Sequence, residues 1–338
     1  MKFIILKRDK LGDLLLTTPF LQNLKQLYPK AKLAVVVPES SAWILKQAPF
    51  IDQLYIYPQP KTFSLKSIIS IFIQLFIFFK IRRECFDFAI AAGGEYSHRA
   101  VKRLCWMGAK RTISFVPLNT HIIKITDPIS EPNKRIHESV RMLELLSPII
   151  KSKMKFDLPD VWFVPQKEWL LMAESFLYKN RLKPESFIIF GIGARREKKQ
   201  ASKEQIIETA RYAYKKYRLK TILVWTPGDK KNKNYPGDDD LAYQILKGAP
   251  SEIIPLRASL DLTIGVIWFA KKSIFPDSGL MHFAAASPGG VIGLFADAKV
   301  SPSPEQWGPL GHKSMYIEAK KSIKELGNNF LHKELNRL

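Results

Sequence analysis

The densest chemistry in the chain lies in Asp277-Ser278-Gly279-Leu280-Met281-His282, followed by Phe283-Ala284-Ala285-Ala286. The stretch follows a short apolar run, Ser273-Ile274-Phe275-Pro276, that reads as a strand end, and passes through a glycine into small residues suited to a tightly packed helix. Where a strand's carboxyl end meets a helix N-terminus, unpaired backbone N–H groups and the positive end of the helix dipole face a ligand, above all a phosphate. Asp277 and Ser278 can cap those donors or hold ligand hydroxyls; an isolated Asp-Ser-Gly is more often only a cap. A second cluster, Gly191-Ile192-Gly193 followed by Arg195, Arg196, Lys198 and Lys199, joins closely approachable backbone to four cations. Alone it reads as a solvated loop. Arg196 stands where a dinucleotide fingerprint needs its third glycine, which argues against a nicotinamide site. Asp238-Asp239-Asp240 precedes a helical pattern and reads as capping acids rather than a metal-binding pair. His98, His121, His137 and His312 show no ligand spacing, and Cys85 and Cys105 form no CxxC motif, so no metal is expected.

Strands must position these groups. Phe3-Ile4-Ile5-Leu6 is a continuous apolar run, as in a parallel strand covered on both faces. It leads into Lys7-Arg8-Asp9-Lys10-Leu11-Gly12-Asp13, a charged loop bearing a glycine, then a helical pattern over 14–27 and a strand over 32–37. Strand–helix–strand opens a doubly wound α/β fold. Helices are expected over 41–46, 67–79, 97–106 and 136–146, and strands over 53–57, 86–91 and 111–115. Residues 147–165, with Pro148, Pro159 and Pro165, read as a linker. A second α/β set follows, with helices over 166–180, 203–217, 241–247 and 260–270, and strands over 187–190, 221–225, 253–255, 273–276 and 291–295. The expected division is 1–150, 166–310 and a C-terminal tail, 311–338, whose helix from 322 packs back across the domains.

Lys and Arg number 53 against 31 Asp and Glu, a net charge of +22 that calls for an anionic partner: nucleic acid, anionic lipid or a phosphorylated substrate. Helix-turn-helix, RNP and zinc-finger patterns are lacking, so nucleic acid is not the expected partner. The apolar run at 3–6 is too short for a signal peptide and meets Lys7 and Arg8 at once, and cysteines are few; a cytoplasmic location is expected. Segment 67–79 is apolar nearly all round but falls short of the roughly 20 residues of a spanning helix. Core packing is one reading. Docking on an anionic membrane surface is the other, since Lys61, Lys66, Lys80, Arg82 and Arg83 flank it.

Three stretches together resemble glycosyltransferase family 9, the ADP-heptose:lipopolysaccharide heptosyltransferases. Gly12-Asp13-Leu14-Leu15-Leu16-Thr17-Thr18-Pro19-Phe20-Leu21 is similar to the family's GD-apolar-xxT-P opening. Residues 191–206 resemble its K-x-W-x-x-E segment, and 277–286 its D-S/T-G-x-x-H-x-A-A-A segment, with Gly293-Leu294-Phe295 and Trp307-Gly308-Pro309 following in order. The resemblance implies a GT-B fold, two Rossmann-like domains facing across a cleft, and inverting, metal-independent transfer with no cofactor beyond the nucleotide-sugar donor. It implies Asp13 as the base, with Lys7 and Gly12 on the acceptor side. Gly191, Gly193, Lys198 and Lys199 would meet the diphosphate. Aligned on Glu204, Lys199 takes the family's lysine position, although Ala201 departs from the aromatic two residues on. Asp229 would hold the ribose or sugar, Asp277 the sugar hydroxyls, and Ser278 and Gly279 would turn backbone N–H groups to phosphate. His282, one turn on, bonds either the site or the backbone. The implied acceptor is an anionic lipid-linked saccharide such as the lipopolysaccharide core, met at the cytoplasmic face of the inner membrane. A UDP-sugar transferase and a non-catalytic basic binding protein are the alternatives.

Overall fold

A computed structural model describes residues 1–8, 10–59, 65–117, 124–133, 135–150, 156, 158–194, 196–232, 237–297 and 303–337. The chain divides into two compact units, Met1–Phe163 and Val164–Leu338. The first runs β1 (Lys2–Leu6), α1 (Leu11–Leu15), α2 (Thr18–Leu27), β2 (Lys32–Pro38), β3 (Gln53–Tyr57), α3 (Leu65–Arg83), β4 (Phe88–Ala91), α4 (His98–Met107), β5 (Arg111–Val116), β6 (Asp127–Ser130) and α5 (Glu138–Leu143). Its sheet has the order β3-β2-β1-β4-β5-β6, with every neighbouring pair parallel. The chain builds outward from β1 through β2 to β3, then returns to lay β4 on the other flank of β1. Connections therefore leave the carboxyl ends of β1 and β4 in opposite directions, opening the crevice in which doubly wound folds hold ligands.

The second unit repeats this plan. It runs α6 (Lys167–Lys179), β7 (Phe187–Gly191), α7 (Lys203–Tyr217), β8 (Lys220–Val224), α8 (Asp239–Leu246), β9 (Ile253–Leu256), α9 (Leu260–Trp268), β10 (Lys272–Pro276), α10 (Gly279–Ala286), β11 (Val291–Phe295), α11 (Pro304–Trp307), β12 (Met315–Glu318) and α12 (Asn328–Leu335). The order β12-β11-β10-β7-β8-β9 is again parallel throughout and puts its switch point between β7 and β10. Central strands are buried along their length, β7 at all five residues, as their unbroken apolar sequences require.

The helix expected over 14–27 is two helices. Pro19 has no N–H to continue the ladder, and the Thr17 and Thr18 hydroxyls donate instead to the carbonyls of Asp13 (2.8 Å) and Leu15 (2.7 Å). The helix expected at 41–46 is a single 3₁₀ turn, Ala42–Ile44. Part of the expected linker is packed: Trp162 lies edge-on to Phe50 (5.4 Å), Phe163 edge-on to Trp43 (6.0 Å), and Trp162 N–H donates to Thr18 Oγ1 (2.8 Å). The C-terminal helix α12 packs on α7 of its own unit, where His332 stacks on Tyr212 at 3.8 Å. Among the described residues no helix is long and apolar enough to cross a membrane.

Candidate active site

At the β1/β4 switch point, the loop after β1 carries Lys7 and then α1 with Gly12 and Asp13. Asp13 is the third residue of α1, half-buried, and its Oδ2 accepts the Lys10 backbone N–H at 3.1 Å. The carboxylate thus starts its helix and stands at the carboxyl edge of the sheet. Lys7 is 2% exposed, with its ammonium 4.0 Å from Met142 Sδ, and Thr17 Oγ1 approaches the same sulfur at 3.5 Å. Gly12 is buried within α1. From α5, Glu138 and Arg141 form an ion pair of 3.0 Å with side chains 5% and 0% exposed. The Glu138 carboxyl lies against Gly94, in the loop after β4, so closely that a Cβ there would fall inside it. Sequence reading missed this pair; only its i,i+3 spacing signals it.

Because Arg141 holds Glu138 in place, Gly94→Ala has no cheap relief. It should destabilise the protein by about 1–3 kcal/mol, the cost of overpacking a filled site. A lower urea midpoint with an unchanged slope checks this.

At the β7/β10 switch point, Lys199 Nζ bonds Asp277 Oδ2 at 2.6 Å, with side chains 11% and 13% exposed. They stand 78 positions apart in sequence. The loop after β7 folds Lys199 inward through a 3₁₀ turn, Glu197–Lys199, while Lys198 is exposed and its carbonyl accepts from Ser322 Oγ at 3.3 Å. Lys199 is therefore the lysine that joins this loop to the Asp277 stretch. Arg195 lies outside the described residues. Asp277 directly follows β10, its N–H bonded to the Leu294 carbonyl at 3.0 Å, and Ser278 is the N-cap of α10. Ser278 makes no side-chain capping bond among the described residues. A Cβ on Gly279 would meet nothing within 4 Å, so the first turn of α10 opens onto free space. His282 is buried one turn on, at 5% exposure.

Gly191, the last residue of β7, and Gly193 beyond it differ in purpose. A Cβ on Gly191 would collide with the Phe275 ring, so packing between β7 and β10 requires that glycine. Gly193 has Asp238 Oδ2 3.1 Å and Thr226 Oγ1 3.4 Å from its Cβ position, which joins three loops at the sheet's carboxyl edge.

Asp229 is exposed and makes a local turn: its Oδ1 accepts from Lys231 N (2.7 Å) and its carbonyl from Asn232 N and Gly237 N. The acids read as helix caps do more. Asp239 accepts from Trp225 Nε1 (2.8 Å), Gly228 N (2.9 Å) and both Nε and Nη2 of Arg257 (2.9 Å each); the Arg257 guanidinium, with the indole N–H, holds its carboxyl far below the usual carboxylate range. Asp238 is the N-cap of α8 but makes no side-chain capping bond among the described residues, and burial pushes its carboxyl up. The Asp239 clamp shapes one wall of a 380 Å³ cavity between Trp225, Pro227, Arg257, Leu260 and Leu280. Its mix of apolar walls with a few polar groups suits a small organic ligand. Trp225 and Arg257 are further residues that sequence reading missed. Among the described residues no group of three or more His, Cys, Asp or Glu is placed to hold a metal ion.

Two parallel Rossmann-like sheets, each with charged residues at its switch point, are the arrangement of the GT-B fold class. The model of glycosyltransferase family 9 (heptosyltransferase) matches residues 80–330, and the chain belongs to that family. None of the curated proteins compared with the chain matches it. Among solved structures, a family 9 glycosyl transferase from Veillonella parvula is similar over 99% of this chain and 96% of its own, with a TM-score of 0.79 at 18% identity. The ADP-heptose lps heptosyltransferase II of E. coli covers 100% of this chain and 98% of its own (TM-score 0.72, 18% identity). E. coli heptosyltransferase WaaC, solved with ADP, covers 100% and 99% (TM-score 0.73, 18% identity). At these identities the likeness concerns the fold.

Proposed function

We propose that the protein moves heptose, or a related sugar, from a nucleoside diphosphate donor to an anionic lipid-linked saccharide of the lipopolysaccharide-core type, with inversion and without a metal. ADP-heptose is the first candidate donor. The observation that carries this reading is the buried Lys199–Asp277 pair beside the open N-terminus of α10 at the β7/β10 switch point. A departing diphosphate needs positive charge at its developing oxyanion. Lys199 supplies a full charge, and the first turn of α10 adds N–H donors and the helix dipole.

In the step itself, an acceptor hydroxyl oxygen attacks the anomeric carbon opposite the leaving group. The new C–O bond forms as the bond to the diphosphate oxygen breaks, and the hydroxyl proton passes to the Asp13 carboxylate. Lys7 and Gly12 set the loop that presents Asp13. Asp277 takes the sugar hydroxyls, and Gly193, Ser278 and Gly279 leave backbone close to phosphate. Lys198, at the rim, adds long-range attraction, and His282 positions the start of α10. The nucleoside enters the cavity beside Trp225 and Arg257, which takes over the role expected of Asp229. Work on a lipid-linked acceptor brings the enzyme to a membrane surface.

Melting curves with ADP, UDP and GDP test the donor. At a concentration of about 100 Kd, a nucleotide that binds only the folded chain adds about 2.7 kcal/mol, a shift of several degrees. ADP is expected to give the largest shift. A larger shift with UDP would reassign the donor to a UDP-sugar, and none with any of the three would end the reading.

A further inference from the structure

Helix α3 is apolar on its outward side as well as on the side that packs against the core. Its inward side carries Ser67, Gln74, Phe78 and Ile81, and Gln74 donates to the Pro58 carbonyl at 2.8 Å. Its outward side carries Ile69, Phe72, Phe76 and Phe79, which are 58%, 66%, 69% and 57% exposed, together with four more aliphatic residues 44–52% exposed. At 3.6 residues per turn these apolar positions cover roughly 200° of the helix. Surface helices normally carry polar residues on the outward face, and contiguous exposed apolar patches of this extent mark docking sites.

Charge decides the occupant. No acidic residue lies in α3, which ends in Lys80, Arg82 and Arg83. The neighbouring helix α4, packed on α3, adds exposed Arg99 and Lys102. Trp106, also exposed, lies 5.6 Å from Phe78 with the Lys102 ammonium 5.5 Å over its ring. Aromatic rings with basic side chains at the edge of an apolar face are the composition of a helix lying in a bilayer interface. A second copy on the same face would bring no acidic residue from α3 or α4 to meet these cations, because a two-fold interface pairs like patches. An anionic bilayer meets both the apolar surface and the charge.

We propose that α3 lies along an anionic phospholipid surface, with Phe72, Phe76 and Phe79 among the acyl chains and Lys80, Arg83 and Lys102 at headgroup phosphates. This deepens the functional reading by naming where the enzyme meets a lipid-linked acceptor, but its test needs neither donor nor acceptor. The full chain is sedimented with vesicles of phosphatidylcholine alone and of phosphatidylcholine with about a third phosphatidylglycerol. Binding is expected only to the second, weakened at about 0.5 M salt. Phe72→Glu/Phe76→Glu should lower partitioning by about tenfold or more, with circular dichroism and melting temperature unchanged because both side chains point outward. Lys80→Gln/Arg83→Gln should lower it in proportion to the charge removed, and Tyr178→Glu, at an 86% exposed site in the other unit, should have no effect. Failure of the wild-type chain to bind phosphatidylglycerol vesicles would overturn the proposal, as would undiminished binding by the Phe72/Phe76 variant. Sedimentation velocity showing a dimer that this variant dissociates would assign the face to a second copy instead.

Discussion

Replacing Asp13 by Asn should lower kcat for sugar transfer by about 10²–10⁴-fold, the span a positioned general base contributes, while nucleotide still raises the melting temperature as in the wild type. The substitution is chosen for what it keeps. An Asn side-chain oxygen can still accept the Lys10 N–H that Asp13 Oδ2 accepts at 3.1 Å, so α1 keeps its start. What it loses is the proposed site for the acceptor proton. Asp13→Ala loses both, and about 1 kcal/mol of helix capping with them. The pair of variants therefore separates a cap from a base. Low turnover in both, with lowered stability only in Ala, supports the base. Full turnover in Asn removes Asp13 from the chemistry and leaves it a cap.

How much of this was legible beforehand depended on burial. Central strands such as 3–6, 187–190 and 291–295 announce themselves because both faces are covered and every residue is apolar. The edge strands β6 and β12 were missed. They are four residues long, half-exposed on alternating positions, and β6 carries Pro128, so their sequences carry little strand signal. The break between α1 and α2 was foreshadowed by Thr17-Thr18-Pro19, but the hydroxyl-to-carbonyl bonds that make it are visible only in three dimensions. At the site, Asp277 and Lys199 stood out through motif order, and the 3₁₀ turn at 197–199 then selects between adjacent lysines, which composition does not. Asp229 is the acid the resemblance points to because it stands in the loop after the strand over 221–225. Gly237 N–H bonds the Asp229 carbonyl and Asp239 N–H the Gly228 carbonyl, so Asp239 reaches Trp225 and Arg257, and spacing along the chain does not encode that return. Glu138 and Arg141 were ordinary helix residues on paper; their burial against Gly94 is a tertiary fact.

Lys199→Met should lower kcat/KM by about 10²–10³-fold, the range seen when one donor to a developing oxyanion is removed, and should also destabilise the protein. The two losses have different origins, and the Asp277 partner tells them apart. Met removes the ammonium but leaves the Asp277 carboxylate, 13% exposed, without its cation. An uncompensated buried charge of this kind costs about 2–3 kcal/mol, below the fullest cases because both side chains keep some contact with water. Asp277→Asn on the Met background removes the stranded charge. The double variant should therefore recover most of the stability, giving a coupling energy of about 1–3 kcal/mol. Activity should not recover, since neither the cation proposed to meet phosphate nor the carboxylate proposed to hold the sugar returns. An ammonium carries three N–H donors, so Lys199 can hold Asp277 and reach phosphate oxygens together. Lys199→Arg accordingly keeps stability better than Met, with intermediate turnover because the planar fork does not reproduce the geometry of a compact ammonium. Recovery of turnover along with stability in the double variant would make the pair an internal tie of the second unit and take Lys199 out of the transfer step.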